Sequence, residues 1–120
     1  IMVLFKKIKL NKNKYKYKCC GYLTLYKFLS WPNKTRLRIS QILLFPKYQK
    51  QGFAFELLQY VYKMAKMRKF IEVNIEDPNN GCQWVRDYTD IYNAYINKVF
   101  NKTCFKINNI TTFHDPKKIK

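Results

Sequence analysis

The fold of this 120-residue chain is decided by the stretch Gln49-Lys50-Gln51-Gly52-Phe53-Ala54. An apolar, strand-like run that ends at Pro46 precedes it, and residues 55–69 follow with apolar side chains at helical spacing. The stretch therefore predicts a strand, a short loop and a helix N-terminus. The first amides of a helix lack intrahelical acceptors, and the helix dipole favours an anion there. Gly52 lets the backbone approach a phosphate closely, and Ala54 is too small to block it.

The remaining segments extend this unit to the order β-β-β-α-β-α. Alternating and β-branched residues predict strands over residues 3–10, 15–29, 36–45 and 70–75, with an irregularity in the second strand at Gly21. A second helical stripe is expected to pack in the core and consists of Trp84, Tyr88, Ile91, Tyr92, Tyr95 and Ile96. We expect an α+β fold with an α/β-like mixed sheet.

The strand before the loop should run antiparallel to the earlier strands and parallel to the last one, through a right-handed crossover over the helix. If these two parallel strands separate at their C-terminal ends, they leave backbone amides and carbonyls without strand partners. An extended ligand that carries amides of its own can bind to such groups as another strand would.

The chain carries 24 lysines and arginines against 7 acidic residues, a formal net charge of +17. Its 48% hydrophobic and 18% aromatic content excludes a wholly disordered chain. No apolar stretch approaches the roughly 20 residues of a membrane span, so we expect no membrane association. The charge has three open explanations: capture of a polyanionic cofactor, non-specific nucleic-acid binding, or a composition rich in Lys, Asn, Tyr and Ile.

The cysteines predict reduced thiols and no metal site. Cys19, Cys20, Cys82 and Cys104 include no Cys-x-x-Cys spacing. The one histidine, His114, lies in a basic segment that gives no support for a catalytic Cys–His pair.

Several motifs stand in order around the central loop. They are Gly21-Tyr22-Leu23-Thr24-Leu25-Tyr26, Trp31-Pro32-Asn33-Lys34-Thr35, Arg36-Leu37-Arg38-Ile39-Ser40-Gln41, Glu76-Asp77-Pro78 and Arg86-Asp87. With the Gln-x-x-Gly-x-Ala loop they resemble the catalytic core of the type B histone acetyltransferases, a branch of the GNAT superfamily, over about residues 3–88. The chain departs from that family at Lys47, Phe53 and Ala54, where proline, histidine and glycine are common.

The resemblance implies a GNAT acetyltransferase fold, in which helices flank a central mixed β-sheet. It implies a catalytic core over residues 1–100 that is a fragment, without the family's N-terminal domain. Residues 101–120 are then a basic tail, partly ordered or a remnant of a C-terminal helical region.

Acetyl transfer to an amine needs a base, because a lysine amine titrates near 10.4 and must be neutral to attack. The resemblance assigns Glu76 as that base, with Asp77 sharing the task or holding the substrate ammonium. The backbone N–H of Leu43 is the expected donor to the thioester oxygen. Acetyl-CoA, the co-substrate, is expected to contact Ile42, Leu43, Leu44, Gln49, Lys50, Gln51, Gly52, Phe53, Ala54, Phe55 and Asn79.

By resemblance, the expected enzyme is a histone lysine N-acetyltransferase. It would act on free, newly made core histone tails in the cytoplasm or nucleus, beside a histone chaperone and without metal or sequence-specific nucleic acid. A basic tail as substrate requires local acidity, which Glu76, Asp77 and Asp87 can supply. Two alternatives stay open: a GNAT enzyme with another amine acceptor, and a non-enzymatic basic nucleic-acid-binding module.

Overall fold

A computed structural model describes residues 1–99 and contains one four-stranded sheet. The strands are β1 (Met2–Asn11), β2 (Lys14–Ser30), β3 (Lys34–Leu44) and β4 (Val73–Ile75), and they lie in the order β1-β2-β3-β4. The first three are antiparallel neighbours, whereas β4 pairs parallel to β3. The expected mixed α+β sheet and its strand directions are confirmed.

Two helices complete the described chain. A short 3-10 helix (Pro46–Tyr48) follows β3 and leads to α1 (Phe53–Met67), which connects β3 to β4; α2 (Asn80–Ile96) follows β4. Pro46 stands at the start of the 3-10 helix, where its missing N–H costs no hydrogen bond. The order β-β-β-α-β-α is therefore confirmed.

One face of the sheet packs against α1 to form the core. Leu23, Leu37 and Ile39 from the sheet are buried against four residues at helical spacing on α1, which are Leu57, Leu58, Val61 and Ala65. This packing holds the C-terminal end of β3 and the N-terminal end of α1 in fixed relation.

Three register shifts interrupt the ladders, and the one nearest the β1–β2 turn leaves Leu10 as an extra residue on β1. Leu4 pairs with Gly21 and Phe5 with Cys19, which leaves Cys20 as an extra residue on β2. The irregularity predicted at Gly21 therefore falls one residue earlier. Gly21 is needed for another reason: a Cβ there would overlap the Leu43 carbonyl oxygen. In the shift between β2 and β3, Ser40 is the extra residue, because Thr24 pairs with Gln41 and Leu25 with Ile39.

The strand predicted over residues 70–75 is shorter, with β4 limited to Val73–Ile75. Lys69 has φ 58°, and the Phe70 N–H donates to the Ala65 carbonyl at 2.9 Å, so Phe70 still belongs to the C-terminal turn of α1. The helix begins at Phe53, two residues before its predicted start, because Gly52 serves as its N-cap with φ 86°.

The aromatic stripe of α2 is not core, contrary to the sequence prediction. Trp84 is 75% exposed, and the other five stripe residues are exposed as well. The helix instead buries Thr89, and the partly buried Val85 packs against the core cluster. Val85 and Thr89 form a second stripe with the same helical period as the aromatic one. Packing against α1 turns this second stripe inward, and its side chains are the smaller ones.

The chain divides into two compact units, Ile1–Asp90 and a second that begins at Ile91. In the described part of the second unit, the amides of Asn97 and Val99 donate to the carbonyls of Asn93 and Ala94 and close the last turn of α2. The tail predicted over residues 101–120 lies outside the described residues, as do Cys104 and His114.

Candidate functional site

The parallel strands β3 and β4 separate at one end of the sheet. Their pairing ends where the Glu76 N–H donates to the Ile39 carbonyl at 2.9 Å. Asp77, with φ 39°, turns the chain away, while β3 continues to Leu44. The separation expected from the topology is therefore present, and it opens a cleft beside the last residues of β3.

The register of β3 decides which of its amides face this cleft. The Phe45 N–H donates to the Cys20 carbonyl at 2.9 Å, and Tyr22 pairs with Leu43. Since backbone groups alternate along a strand, the N–H of Leu43 points toward β2, and those of Ile42 and Leu44 point into the cleft. This arrangement does not support the Leu43 N–H as the donor to a thioester oxygen, and it favours the Ile42 N–H.

Three adjoining cavities form a continuous groove from Glu76 to Lys50. The first, of about 340 Å³, contains Glu76 and Asp77 and shares Ile42 and Asn79 with a second of about 230 Å³. The second shares Ala54 with a third of about 300 Å³, which includes Lys50 and Gly52. An extended molecule can therefore lie along β3 and end at the N-terminus of α1.

The N-terminus of α1 is suited to an anion. Gly52 has φ 86°, and a Cβ at this position would meet no atom within 4 Å, so its surroundings are open. The first amides of the helix, at Phe53 and Ala54, follow directly and lack acceptors within the helix. Lys50, which has φ 58°, adds a positive charge to the same cavity. Geometry and charge both favour phosphate oxygens here.

The opposite end of the groove carries carboxylates. Glu76 and Asp77 both line the first cavity, and Glu76 Oε1 lies 4.0 Å from an Arg38 guanidinium nitrogen. The Glu76 side chain is 52% exposed, so solvent reaches it. Asp87, the third acid expected here, forms a 3.1 Å ion pair with Arg86 on α2 and does not line the cavity.

Twelve of the thirteen residues predicted for the site line the groove; the exception is Gln51. The Gln51 side chain donates to the Lys47 carbonyl at 2.7 Å, and that of Gln49 donates to the Leu44 carbonyl at 2.9 Å. Asn79 caps α2, because its side-chain oxygen accepts from the Cys82 N–H at 2.8 Å. These three amides organise the two loops that border the groove.

The sequence reasoning missed the wall that α2 contributes. Cys82 lines the first two cavities and Val85 the second and third, while Trp84 and Tyr88 border the third. Cys82 and Val85 are three residues apart and Trp84 and Tyr88 are four apart, so their helical spacing after the Asn79 cap could have indicated this wall. Burial raises the pKa of the Cys82 thiol and outweighs the opposite effect of the Arg86 charge, so the group is a neutral thiol near pH 7.

Two further features of residues 1–99 concern metal binding and membrane insertion. In this part of the chain, no three His, Cys, Asp or Glu side chains are grouped so as to hold a metal ion. No helix in the same range has both the length and the apolar character needed to span a membrane.

Several known proteins of similar sequence are type B histone acetyltransferase catalytic subunits. The chain is 32% identical over 113 residues to a histone acetyltransferase type B catalytic subunit of Dictyostelium discoideum, covering 90% of this chain and 23% of the relative. It is 39% identical over 72 residues to the subunit of that name from Mycosarcoma maydis, covering 59% and 16%. For the human subunit the identity is 33% over 69 residues, covering 57% and 16%. The chain thus spans less than a quarter of the length of these relatives.

Among solved structures, the chain is similar to an aminoglycoside acetyltransferase from an uncultured soil metagenomic sample. The identity is 18% and the TM-score 0.48, and the match covers 88% of this chain and 66% of that chain.

The sequence model described as the acetyltransferase (GNAT) family matches residues 9–83, more than half of the chain. This range includes β2, β3, the loop at Gly52, α1, β4 and the acids Glu76 and Asp77. The chain belongs to the GNAT family of acetyltransferases.

Proposed function

We propose that this domain transfers the acetyl group of acetyl-CoA to a lysine ε-amine of a free, newly made core histone tail. The groove that joins the Gly52 loop to Glu76 carries the proposal, because it connects an anion-binding helix end to a carboxylate. Acetyl-CoA supplies an activated thioester, a flexible arm with two amides and a pyrophosphate. The groove offers a matching region for each of these parts.

The predicted residues divide the work along the groove. Lys50, Gly52 and the first amides of α1 would bind the pyrophosphate, and Ala54 leaves it room. The backbone groups of Ile42 and Leu44 would hydrogen-bond the amides of the arm, because β4 has ended and no longer pairs with β3 there. The Ile42 N–H, which faces the cleft, is the proposed donor to the thioester oxygen as negative charge grows there.

Glu76 is proposed to take the proton from the attacking amine, directly or through water. It lies at the exit of β4, within the same cavity as Ile42 and Asp77. Asp77 would hold the incoming ammonium by charge before the proton is removed. These two carboxylates support a cationic acceptor despite the chain's net charge of +17.

The histone tail as acceptor rests on the names of the similar proteins. We extend it to a histone-chaperone partner and to action in the cytoplasm or nucleus, as these follow from the same proposed role. The test is acetyl transfer from radiolabelled acetyl-CoA to a set of acceptors. Lysine-bearing histone tail peptides should be acetylated faster than the same peptides with lysine replaced by arginine, and faster than small polyamines. Equal rates on all acceptors would contradict the histone assignment while leaving acetyl transfer intact.

The position of Cys82 gives a test of the groove itself. Because burial raises its thiol pKa, Cys82 should react slowly with iodoacetamide near pH 7 and faster as the pH rises. Acetyl-CoA bound in the groove should protect Cys82 and leave the exposed Cys19 reactive. Peptide mass spectrometry would measure both rates. Equal labelling of Cys82 with and without saturating acetyl-CoA would contradict the proposed path of the cofactor.

A further inference from the structure

The end of the β1–β2 hairpin is a two-stranded ribbon. Gly21 to Ser30 of β2 pair with β3, whereas the residues of β2 before Cys20 pair only with β1 within the described chain. Met2 and Leu4 are half-buried toward α1, and Lys6 on the same side lies 5.8 Å from the Phe53 ring. Side chains at odd positions of β1 therefore project from the opposite face, away from α1.

That opposite face combines aromatic rings with lysines. Lys7 pairs with Tyr17 and Lys9 with Tyr15, so all four side chains lie on one side of the ribbon together with Phe5. Phe5, Tyr15 and Tyr17 are 54%, 45% and 59% exposed. The Lys7 ammonium lies 3.9 Å from the centre of the Tyr15 ring. We name these five residues the open hairpin face.

The charge around the open hairpin face is wholly positive. Seven of the thirteen residues from Lys6 to Lys18 are lysines, and the first 55 residues contain no aspartate or glutamate. No carboxylate within this segment therefore offsets the positive electrostatic potential of its lysines. A polyanion is the complementary partner.

The rings distinguish between polyanions. A duplex hides the faces of its bases and presents mainly phosphates, which lysines alone can bind. An unpaired strand exposes base faces that stack on aromatic side chains while lysines hold the backbone. Residues two apart on one strand stand about 6.6 Å from each other, so Tyr15 and Tyr17 offer separate platforms on one face.

We propose that the open hairpin face binds single-stranded nucleic acid without sequence preference. It lies on the sheet face opposite α1, and none of its five residues lines the groove from Glu76 to Lys50. The interaction is therefore independent of the acetyl-CoA site and goes beyond the proposed acetyl transfer.

The test is fluorescence anisotropy of labelled oligothymidylate and oligouridylate of about 12 nucleotides, titrated with the 120-residue chain over a salt series. The double variant Tyr15→Val, Tyr17→Val keeps strand propensity but removes both rings. Its Kd should rise about 5- to 150-fold for each base that had been stacked. Tyr15→Phe with Tyr17→Phe keeps the π faces and should bind like the wild type.

Charge has its own matched pair of variants. Lys7→Gln with Lys9→Gln should reduce the slope of log affinity against log salt by about 1.4, since each phosphate contact on a single strand contributes about 0.7. Lys16→Gln with Lys18→Gln removes the same charge from the opposite face of the ribbon, where Lys16 faces Ile8 and Lys18 faces Lys6. The latter pair should change the slope less.

Two outcomes would overturn the proposal. One is wild-type affinity in the folded valine variant, which would exclude stacking. The other needs only the wild-type chain: polyglutamate or duplex DNA of equal charge competing as well as oligothymidylate. That result would mean that the lysines attract any polyanion, an acidic protein included, and that the rings do not select an unpaired strand.

Discussion

Replacing Glu76 by glutamine is expected to lower acetyl transfer by about 10²- to 10⁴-fold, the usual contribution of a general base. Glutamine keeps the size and the hydrogen-bonding reach of the side chain but accepts no proton near neutral pH. Acetyl-CoA affinity should barely change, because Glu76 lies at the far end of the groove from Lys50 and Gly52. Steady-state transfer to a histone tail peptide and calorimetric titration of acetyl-CoA would measure the two effects.

Glu72→Gln is the matched control for this experiment. Glu72 is a half-exposed carboxylate that pairs with Arg36 at 3.1 Å, much as Glu76 lies beside Arg38, yet it does not line the cleft. It should keep near-wild-type turnover. The contrast separates loss of a base from loss of an exposed ion pair, which contributes roughly 0–1 kcal/mol to stability.

The pH dependence adds a second signature. The acceptor amine is charged below its pKa near 10.4, so its neutral fraction rises about tenfold for each pH unit up to that value. An enzyme without its base should therefore recover part of its rate as pH increases from about 6 to 9. Near-wild-type turnover of Glu76→Gln across that range would reject Glu76 as the base and direct attention to Asp77.

Gly52→Asp is expected to weaken acetyl-CoA binding by roughly 10- to 100-fold. A carboxylate about 5 Å from a phosphate charge costs about 1–3 kcal/mol at effective dielectrics between water and a protein surface. At a free concentration a hundredfold above the wild-type Kd, bound cofactor stabilises the fold by about 2.7 kcal/mol. In the variant this falls to between about 1.4 and 0.4 kcal/mol, visible as a smaller rise in Tm.

Gly52→Asn is the control, since asparagine has nearly the same shape and also tolerates a positive φ, which is 86° here. Both variants share the backbone cost of adding a Cβ, and no atom within 4 Å obstructs that Cβ. Only the charge differs between them. Equal Tm shifts for the two variants, each close to the wild-type shift, would remove the phosphate-binding role of the loop.

The strands and the loop could be predicted because their signals are local. Residues 15–29 are rich in aromatic and aliphatic side chains over a long run, and Gly52 between an apolar strand and a helical pattern marks the turn. Residues 70–75 also alternate, but the C-terminal turn of α1 takes Phe70, so the helix rather than the pattern sets where β4 begins. Helix and strand signals overlap at such a junction, and the sequence does not rank them.

The parts that escaped prediction depend on contacts between distant residues. The stripe of Trp84 and Tyr88 is more hydrophobic than that of Cys82 and Val85, yet packing against α1 turns the latter inward. The orientation of the Leu43 amide depends on a register shift that leaves no mark in composition. Neither feature follows from periodicity alone.

The extra residue at Ser40 divides β3 into two stretches of opposite phase. Downstream of Ser40, the pairing of β3 with β2 determines which row of backbone N–H and C=O groups faces the groove. The identity of the side chains does not determine it. Substitutions at Ile42 or Leu44 can reshape the wall and still leave that row in place. Removing Ser40 would also leave that row in place, because Ile39 and Gln41 already pair with the adjacent residues Leu25 and Thr24. Recognition of an amide-bearing arm is thus robust to exchange of side chains and to loss of the extra residue, and it depends on the pairing of β3 with β2 downstream of Ser40.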